Sequence, residues 1–216
     1  MALTAFSSIV ITVSKQDSDT RYVRRAKQFA PGDAFKRFAK SLRDAVHVVQ
    51  EFTELVEPRF KRRVFCENVL TAPSIGMVDL VVCSPPYPNA YSYHLYHMTR
   101  MVWLEMDQPE FKRVEIGSHR KYSAKGASID VFRQEMSTVF SWLASVVRPS
   151  GYACFVVGDS IIAGQTHCNA DIIAHAGKVN GFAEVGRIPR RLKDTKKAFN
   201  PVIGKIKQEH VVILQH

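Results

Sequence analysis

Val78-Asp79-Leu80-Val81-Val82-Cys83-Ser84-Pro85-Pro86-Tyr87-Pro88-Asn89-Ala90 is the stretch that decides the fold. Val78 to Cys83, interrupted only by Asp79, reads as a short buried strand, and the run stops at Ser84-Pro85-Pro86-Tyr87. Two consecutive prolines fix φ and donate no backbone hydrogen bond, so the turn is stiff and its carbonyls stay free to accept. In an α/β sheet ligands bind outside the carboxyl ends of the strands, which is where this tetrapeptide falls. A bare Ser-Pro-Pro-Tyr is most often only a stiffened turn. Its place after a buried strand makes it a candidate site.

Working outward, Asp130 is placed to cap a helix with Phe132, Met136, Val139, Phe140, Leu143 and Val147 on one face, closed by Pro149-Ser150-Gly151. Tyr152 to Val157 then reads as a buried strand, Asn169 to Val179 as a helix ended by Asn180-Gly181, Phe182 to Val185 as an edge strand and Glu209 to Leu214 as the last strand. Upstream, apolar residues recur at helical spacing from Phe35 to Val56, behind a turn at Pro31-Gly32 with Asp33 as N-cap and ahead of Pro58. Val64-Phe65-Cys66 reads as a short buried strand ending at Glu67-Asn68, and residues 71–76 as a loop. Residues 1–32, with the β-branched run Ile9 to Val13 and a basic stretch after it, read as an N-terminal arm or loop. The segment from Asp107 to Ser128 is polar, basic and aperiodic, and reads as irregular. The order of elements is that of an α/β sheet with a hairpin-like end.

The tetrapeptide suits an exocyclic amine. Such a nitrogen is a poor nucleophile because its lone pair is delocalised into the base; acceptors aimed at its two hydrogens favour a more pyramidal, reactive nitrogen, and Tyr87 can stack on the base. Here the sequence resembles the DNA amino-methyltransferases, which methylate cytosine N4 or adenine N6 and carry a [D/N/S]-PP-[Y/F] tetrad after the fourth strand of their sheet. Residues 78–90 look like that strand and catalytic loop, and Arg148-Pro149-Ser150-Gly151-Tyr152 to Asp159 looks like the next strand. The likeness runs from about residue 33 to the C-terminus.

It implies an α/β, Rossmann-like fold dependent on S-adenosylmethionine, mostly parallel with an antiparallel C-terminal strand. It also implies that Ser84, Pro85, Pro86 and Tyr87 are catalytic and that Glu67 and Asn68 contact the cofactor adenine. Serine at the first tetrad position leans toward cytosine N4, with adenine N6, an RNA substrate, or a non-catalytic nucleic-acid-binding subunit as the alternatives. Cytosine-C5 chemistry needs a nucleophilic cysteine, in that family preceded by proline, and no Pro-Cys occurs here.

The same family needs a glycine-rich strand-to-helix turn for the cofactor and an acidic residue after the following strand for its ribose. The eleven glycines form no G-x-G pair. The fold is therefore expected to be incomplete, with residues 33–216 as the catalytic half of a divided enzyme and a second protein subunit carrying the glycine-rich motif. A truncated sequence and a non-enzymatic remnant are the other readings of the gap. A sheet lacking its first strands would expose an edge and a face, which a partner would cover.

Thirty Lys and Arg against twenty Asp and Glu give a net charge of +10, which favours an anionic partner, DNA first. The basic residues singled out for phosphate contact are Arg120, Lys121 and Lys125 after the catalytic loop, and Arg190 and Arg191 near the end. No helix-turn-helix or finger is visible, so sequence recognition is expected from elsewhere. No run approaches the roughly 18 apolar residues of a membrane span, and no signal peptide opens the chain, so a cytoplasmic protein is expected. The four cysteines form no CxxC, and no metal is expected. His94 and His97, three apart, read as aromatic packing rather than ligands, and Asp159 as the cap of a turn with no catalytic role.

Overall fold

The computed structural model describes residues 1–19, 21–88, 91–123, 127–191 and 208–216. Its contacts divide the chain into one unit of Met1–Cys66 with Tyr93–Glu115 and another of Glu67–Ser92 with Ile116–His216.

The first unit contains α1 (Ala2–Val13), a small hairpin of β1 (Gln16–Ser18) and β2 (Arg21–Arg24), the long α2 (Asp33–Leu55), and then α3 (Tyr93–Tyr96), α4 (Met98–Trp103) and α5 (Gln108–Val114). The run Ile9 to Val13, expected in an arm, is helical. Ala5, Ile9 and Val10 are buried at helical spacing, and Ser41 of α2 donates to the Ala5 carbonyl at 3.2 Å. Burial there overrides the β-propensity of branched residues, so residues 1–32 hold a helix and a hairpin rather than a bare arm. Helix α2 forms where the periodicity predicts, yet none of its residues is buried. Asp33 is not its N-cap: it follows Gly32, whose φ is +83°, and accepts from the Ala30 N–H at 2.9 Å. Val64-Phe65-Cys66, expected as a buried strand, is not one; Val64 is 99% exposed. A strand exists only against a ladder partner, and among the described residues none is offered.

The second unit is built on β3 (Val78–Cys83), α6 (His119–Ser123), α7 (Asp130–Val146), β4 (Val147–Gly158), the hairpin β5 (Ser160–Ile162) and β6 (Gln165–His167), α8 (Asn169–Val179), β7 (Ala183–Arg191) and β8 (Gln208–Gln215). The sheet order is β3-β4-β8-β7. β3 and β4 pair in parallel, and β8 is antiparallel to both its neighbours. Three strands therefore run one way and the last is reversed, a mixed α/β architecture with the antiparallel C-terminal strand that was expected. The segment from Asp107 to Ser128, expected to be irregular, contributes α5 and α6. Asp107 caps the former by accepting from the Glu110 N–H at 2.9 Å.

One face of the sheet carries α7 and α8. Phe132, Met136, Phe140 and Leu143 of α7 meet Ala153, Phe155 and Val157 of β4, Val212 and Leu214 of β8, and Ile173 of α8 in a single core. Each large apolar side chain removed from water there contributes about 1.5–3 kcal/mol. The alternation along β3 and β4 sends Leu80, Val82 and Tyr152 to the opposite face, where Leu80 is 57% and Val82 72% exposed. β3 pairs only with β4, so among the described residues its outer edge is unpaired. No described helix is long and apolar enough to cross a membrane.

Candidate active site

β3 delivers Ser84-Pro85-Pro86-Tyr87 at its carboxyl end, beside the parallel β4. Ser84 is exposed, Pro85 is buried, and Pro86 and Tyr87 are half-buried. The Tyr87 ring packs on the margin of the core, and its hydroxyl lies 3.2 Å from Glu209 Oε1 and 3.4 Å from the Val156 carbonyl. Glu209 is in turn ion-paired with Arg190. Burial raises the Tyr87 pKa, with Glu209 adding to the rise and a hydrogen bond with Ser84 opposing it. The phenol is thus a neutral donor that ties the turn across β4 to β8. Among the described residues no hydrogen bond reaches the carbonyls of Ser84, Pro85 or Pro86, so they remain available acceptors.

One residue that sequence reasoning missed holds this turn. Gly117 has φ +74°, and a Cβ built on it would stand 2.9 Å from the Tyr87 carbonyl oxygen and 3.0 Å from that of Pro86. Only glycine lets the two backbones approach so closely. The neighbouring His119 N–H donates to the Tyr91 carbonyl at 3.1 Å, so residues 117–119 lie against the diproline turn and Tyr91. The signal in the sequence was a single glycine inside a basic stretch, which read as phosphate-binding instead.

Of the proposed cofactor contacts, Glu67 is exposed, while Asn68 caps the short 3-10 turn Val69–Thr71 by accepting from the Leu70 N–H at 3.0 Å. Among the basic residues, Lys121 is ion-paired with Glu135 at 2.9 Å and Arg190 with Glu209, whereas Arg191 is exposed. Lys125 and the Arg120 side chain lie outside the described residues. Two open concavities of about 550 and 500 Å³ are lined by other residues, one by Val69, Leu70 and Trp142, the other by Leu42 and Val46 of α2.

In the first unit, His97 stacks on Tyr93 at 6.2 Å, the packing role the sequence suggested, and burial lowers its pKa. His94 is different. It is buried, with Nδ1 2.6 Å from Glu115 Oε2, and the other carboxylate oxygen accepts from the Tyr93 N–H. The twenty-one-residue separation of that pair hid it from any local pattern.

No protein-family model and no curated relative matches the chain. Among solved structures it is similar to TTHA0409 of Thermus thermophilus, a proposed DNA modification methylase. In its S-adenosyl-L-methionine complex the identity is 20%, with 68% of this chain and 51% of that one covered and a TM-score of 0.40. A second form of the same protein gives 20% identity, coverages of 68% and 49%, and a TM-score of 0.39. Its selenomethionine derivative gives 19% identity, coverages of 68% and 48%, and a TM-score of 0.37. The chain spans about half the length of the TTHA0409 chain. The chemistry of the site rests on its own geometry.

Proposed function

We propose that this chain carries the base-facing half of a DNA amino-methyltransferase that modifies an exocyclic amine, cytosine N4 before adenine N6, with a partner chain completing the cofactor site. The observation that supports this reading is the stiff diproline turn at the carboxyl end of β3, its carbonyls unengaged among the described residues, in a sheet whose only reversed strand is β8. S-adenosylmethionine would supply the electrophilic methyl group. The chain's own part is to bind and orient the amine. The Ser84 and Pro85 carbonyls accept its two hydrogens, and their lone pairs favour the pyramidal nitrogen that the transition state needs. The Tyr87 hydroxyl, anchored to Glu209, keeps those carbonyls from drifting.

The cofactor fits this chain only in part. Asn68 has its side chain engaged in the turn that follows it, which leaves Glu67 as the free polar group of the pair. No glycine-rich turn is available to the methionine portion. A partner bearing that turn would add strands to the open edge of β3 and cover Leu80 and Val82. Exposed Arg191 would contact phosphates, together with Arg120 and Lys125, and Lys121 and Arg190 would do so on leaving their ion pairs. A place in restriction-modification or phage defence is a further part of the same reading, by association alone.

A second reading has its own support: the Tyr87 ring packs on the core margin and its hydroxyl is engaged by Glu209, both structural roles. On that view the chain is a non-catalytic, nucleic-acid-binding subunit. The test is transfer of a labelled methyl group to duplex DNA by the chain with its co-purifying partner, using the wild type and Pro85→Ala. The first reading requires transfer by the wild type, its loss in Pro85→Ala, and unchanged DNA retention. DNA binding with no transfer by the wild-type complex selects the second.

A further inference from the structure

Asp159, just past β4, Cys168, just before α8, and His210 on β8 meet in the second unit, each half-buried, with one ligand atom from each lying within 4.8 Å of the others. Among the described residues this is the only group of three such side chains. Two of its polar atoms, Asp159 Oδ1 and His210 Nδ1, are shielded from solvent without a hydrogen-bond partner. Asp159 was expected to cap a turn, which would engage one carboxylate oxygen and still leave Oδ1 without a partner. A buried orphan polar atom loses its bonds to water without replacement, and two in one cluster call for a ligand.

The backbone around them is fixed. Asn169 is fully buried and donates through Nδ2 to the Gly158 carbonyl and to Ser160 Oγ, both at 2.7 Å, which clasps the residues on either side of Asp159. The same asparagine follows Cys168 directly, so two of the three groups are set by one side chain. Asp171, which is hydrogen-bonded to Cys168, faces Arg187 at 2.5 Å, so its charge is engaged outward. Arg190 is engaged by Glu209. No cation among these partners points at the cluster as its neutraliser.

We propose that Asp159, Cys168 and His210 form a zinc site with an open fourth position. A thiolate, an imidazole and a carboxylate together suit Zn²⁺ above the hard cations, which take oxygen alone. Bonds of about 2.0–2.3 Å at tetrahedral angles place ligand atoms roughly 3.3–3.8 Å apart, so atoms already within 4.8 Å of one another need approach by no more than about 1.5 Å to close the site. Binding forms the sulfur–zinc bond and releases the Cys168 proton to solvent, with no change of oxidation state. His210 follows Glu209 on β8 and pairs with Val157 of β4, so the site lies at the carboxyl end of β4, with His210 on the face opposite Glu209. It does not depend on the methyl-transfer reading.

The test uses the untagged full chain. Zn²⁺ affinity is measured by competition with a chromophoric chelator, and Co²⁺ is used as a spectroscopic replacement. One equivalent should bind, with a thiolate-to-cobalt absorption band in the near ultraviolet. Cys168→Ser should lose the band; Asp159→Asn and His210→Gln should weaken binding at least tenfold each, and Cys66→Ser should change nothing. Thermal melts of the metal-free variants separate lost ligands from lost fold. If Cys168→Ser does not fold, the other two substitutions decide. Absence of stoichiometric binding, a band that survives in Cys168→Ser, or unchanged affinity in both Asp159→Asn and His210→Gln overturns the site.

Discussion

Gly117→Ala isolates the contact that holds the diproline turn. Alanine at φ +74° carries the left-handed backbone penalty of about 1–2 kcal/mol. Its Cβ would also sit 2.9 Å from the Tyr87 carbonyl oxygen and 3.0 and 3.2 Å from the Pro86 carbonyl, which are backbone atoms that cannot rotate away. Overpacking of that kind costs a further ~1–3 kcal/mol. Gly76 supplies the control within the same unit: its φ is +82°, and nothing lies within 4 Å of its Cβ position. Both substitutions also lower the entropy of the unfolded chain, by similar amounts, so this effect cancels in their difference. Gly117→Ala should therefore be about 1–3 kcal/mol less stable than Gly76→Ala. The measurement is urea unfolding followed by tryptophan fluorescence in a Trp103→Phe background, so that Trp142, which donates to the Pro73 carbonyl at 2.8 Å, reports on the second unit alone. Equal midpoints for the two variants would show that the turn does not rest on Gly117.

Phe140→Ala should destabilise the second unit by about 3–5 kcal/mol in the same assay, because the ring is fully buried between Phe155 and Phe182. Glu115→Gln should lower the stability of the first unit by about 1–3 kcal/mol, because it alters the carboxylate that buried His94 Nδ1 and the Tyr93 N–H share; an unchanged midpoint, read by Trp103 fluorescence in a Trp142→Phe background, would make the pair dispensable. Burial raises the pKa of both Tyr87 and Tyr122, so each favours the neutral phenol in the folded chain. Their contribution is complete below the ordinary tyrosine range of about 10 and is lost as the pH rises through the folded values. Ultraviolet titration should show a late-ionising fraction that shrinks in Tyr87→Phe and in Tyr122→Phe. Tyr87→Phe should cost only about 0.5–1.5 kcal/mol, since the ring keeps its packing and loses one hydroxyl.

The elements that were legible in the sequence are those whose boundaries are written in local chemistry. Helix α8 runs from Asn169 to Val179 because Asn180 and Gly181, with φ +91°, end it, and both signals are contiguous. The strand β3 and the tetrad were legible for the same reason, a branched run cut by two prolines, but the burial expected of β3 was not borne out: none of its residues is buried. What was not legible depends on partners distant in the chain. Ile9 to Val13 is helical because of its burial in the first unit, and Val64 to Cys66 forms no strand because no ladder partner meets it among the described residues. Gly117 matters through Pro86 and Tyr87, thirty residues away, and no periodicity records such an approach.

The tetrad and the bare sheet face have one physical origin. In a parallel sheet a strand buried on both faces needs neighbours on both edges, and the sequence of β3, Val-Asp-Leu-Val-Val-Cys, is apolar enough for that position. In this chain it is an edge strand, with Leu80 and Val82 turned to solvent. Asp79, paired with Arg148 at 2.9 Å, is the only charge on it, a weak guard against further pairing. Adding a strand to that edge would extend the sheet next to the strand that ends in the diproline turn. An isolated chain should accordingly self-associate through this edge, and substituting Val82 with lysine should abolish that association in sedimentation velocity while leaving the core of α7, α8 and β4 folded; association that survives the lysine would place the sticky surface elsewhere.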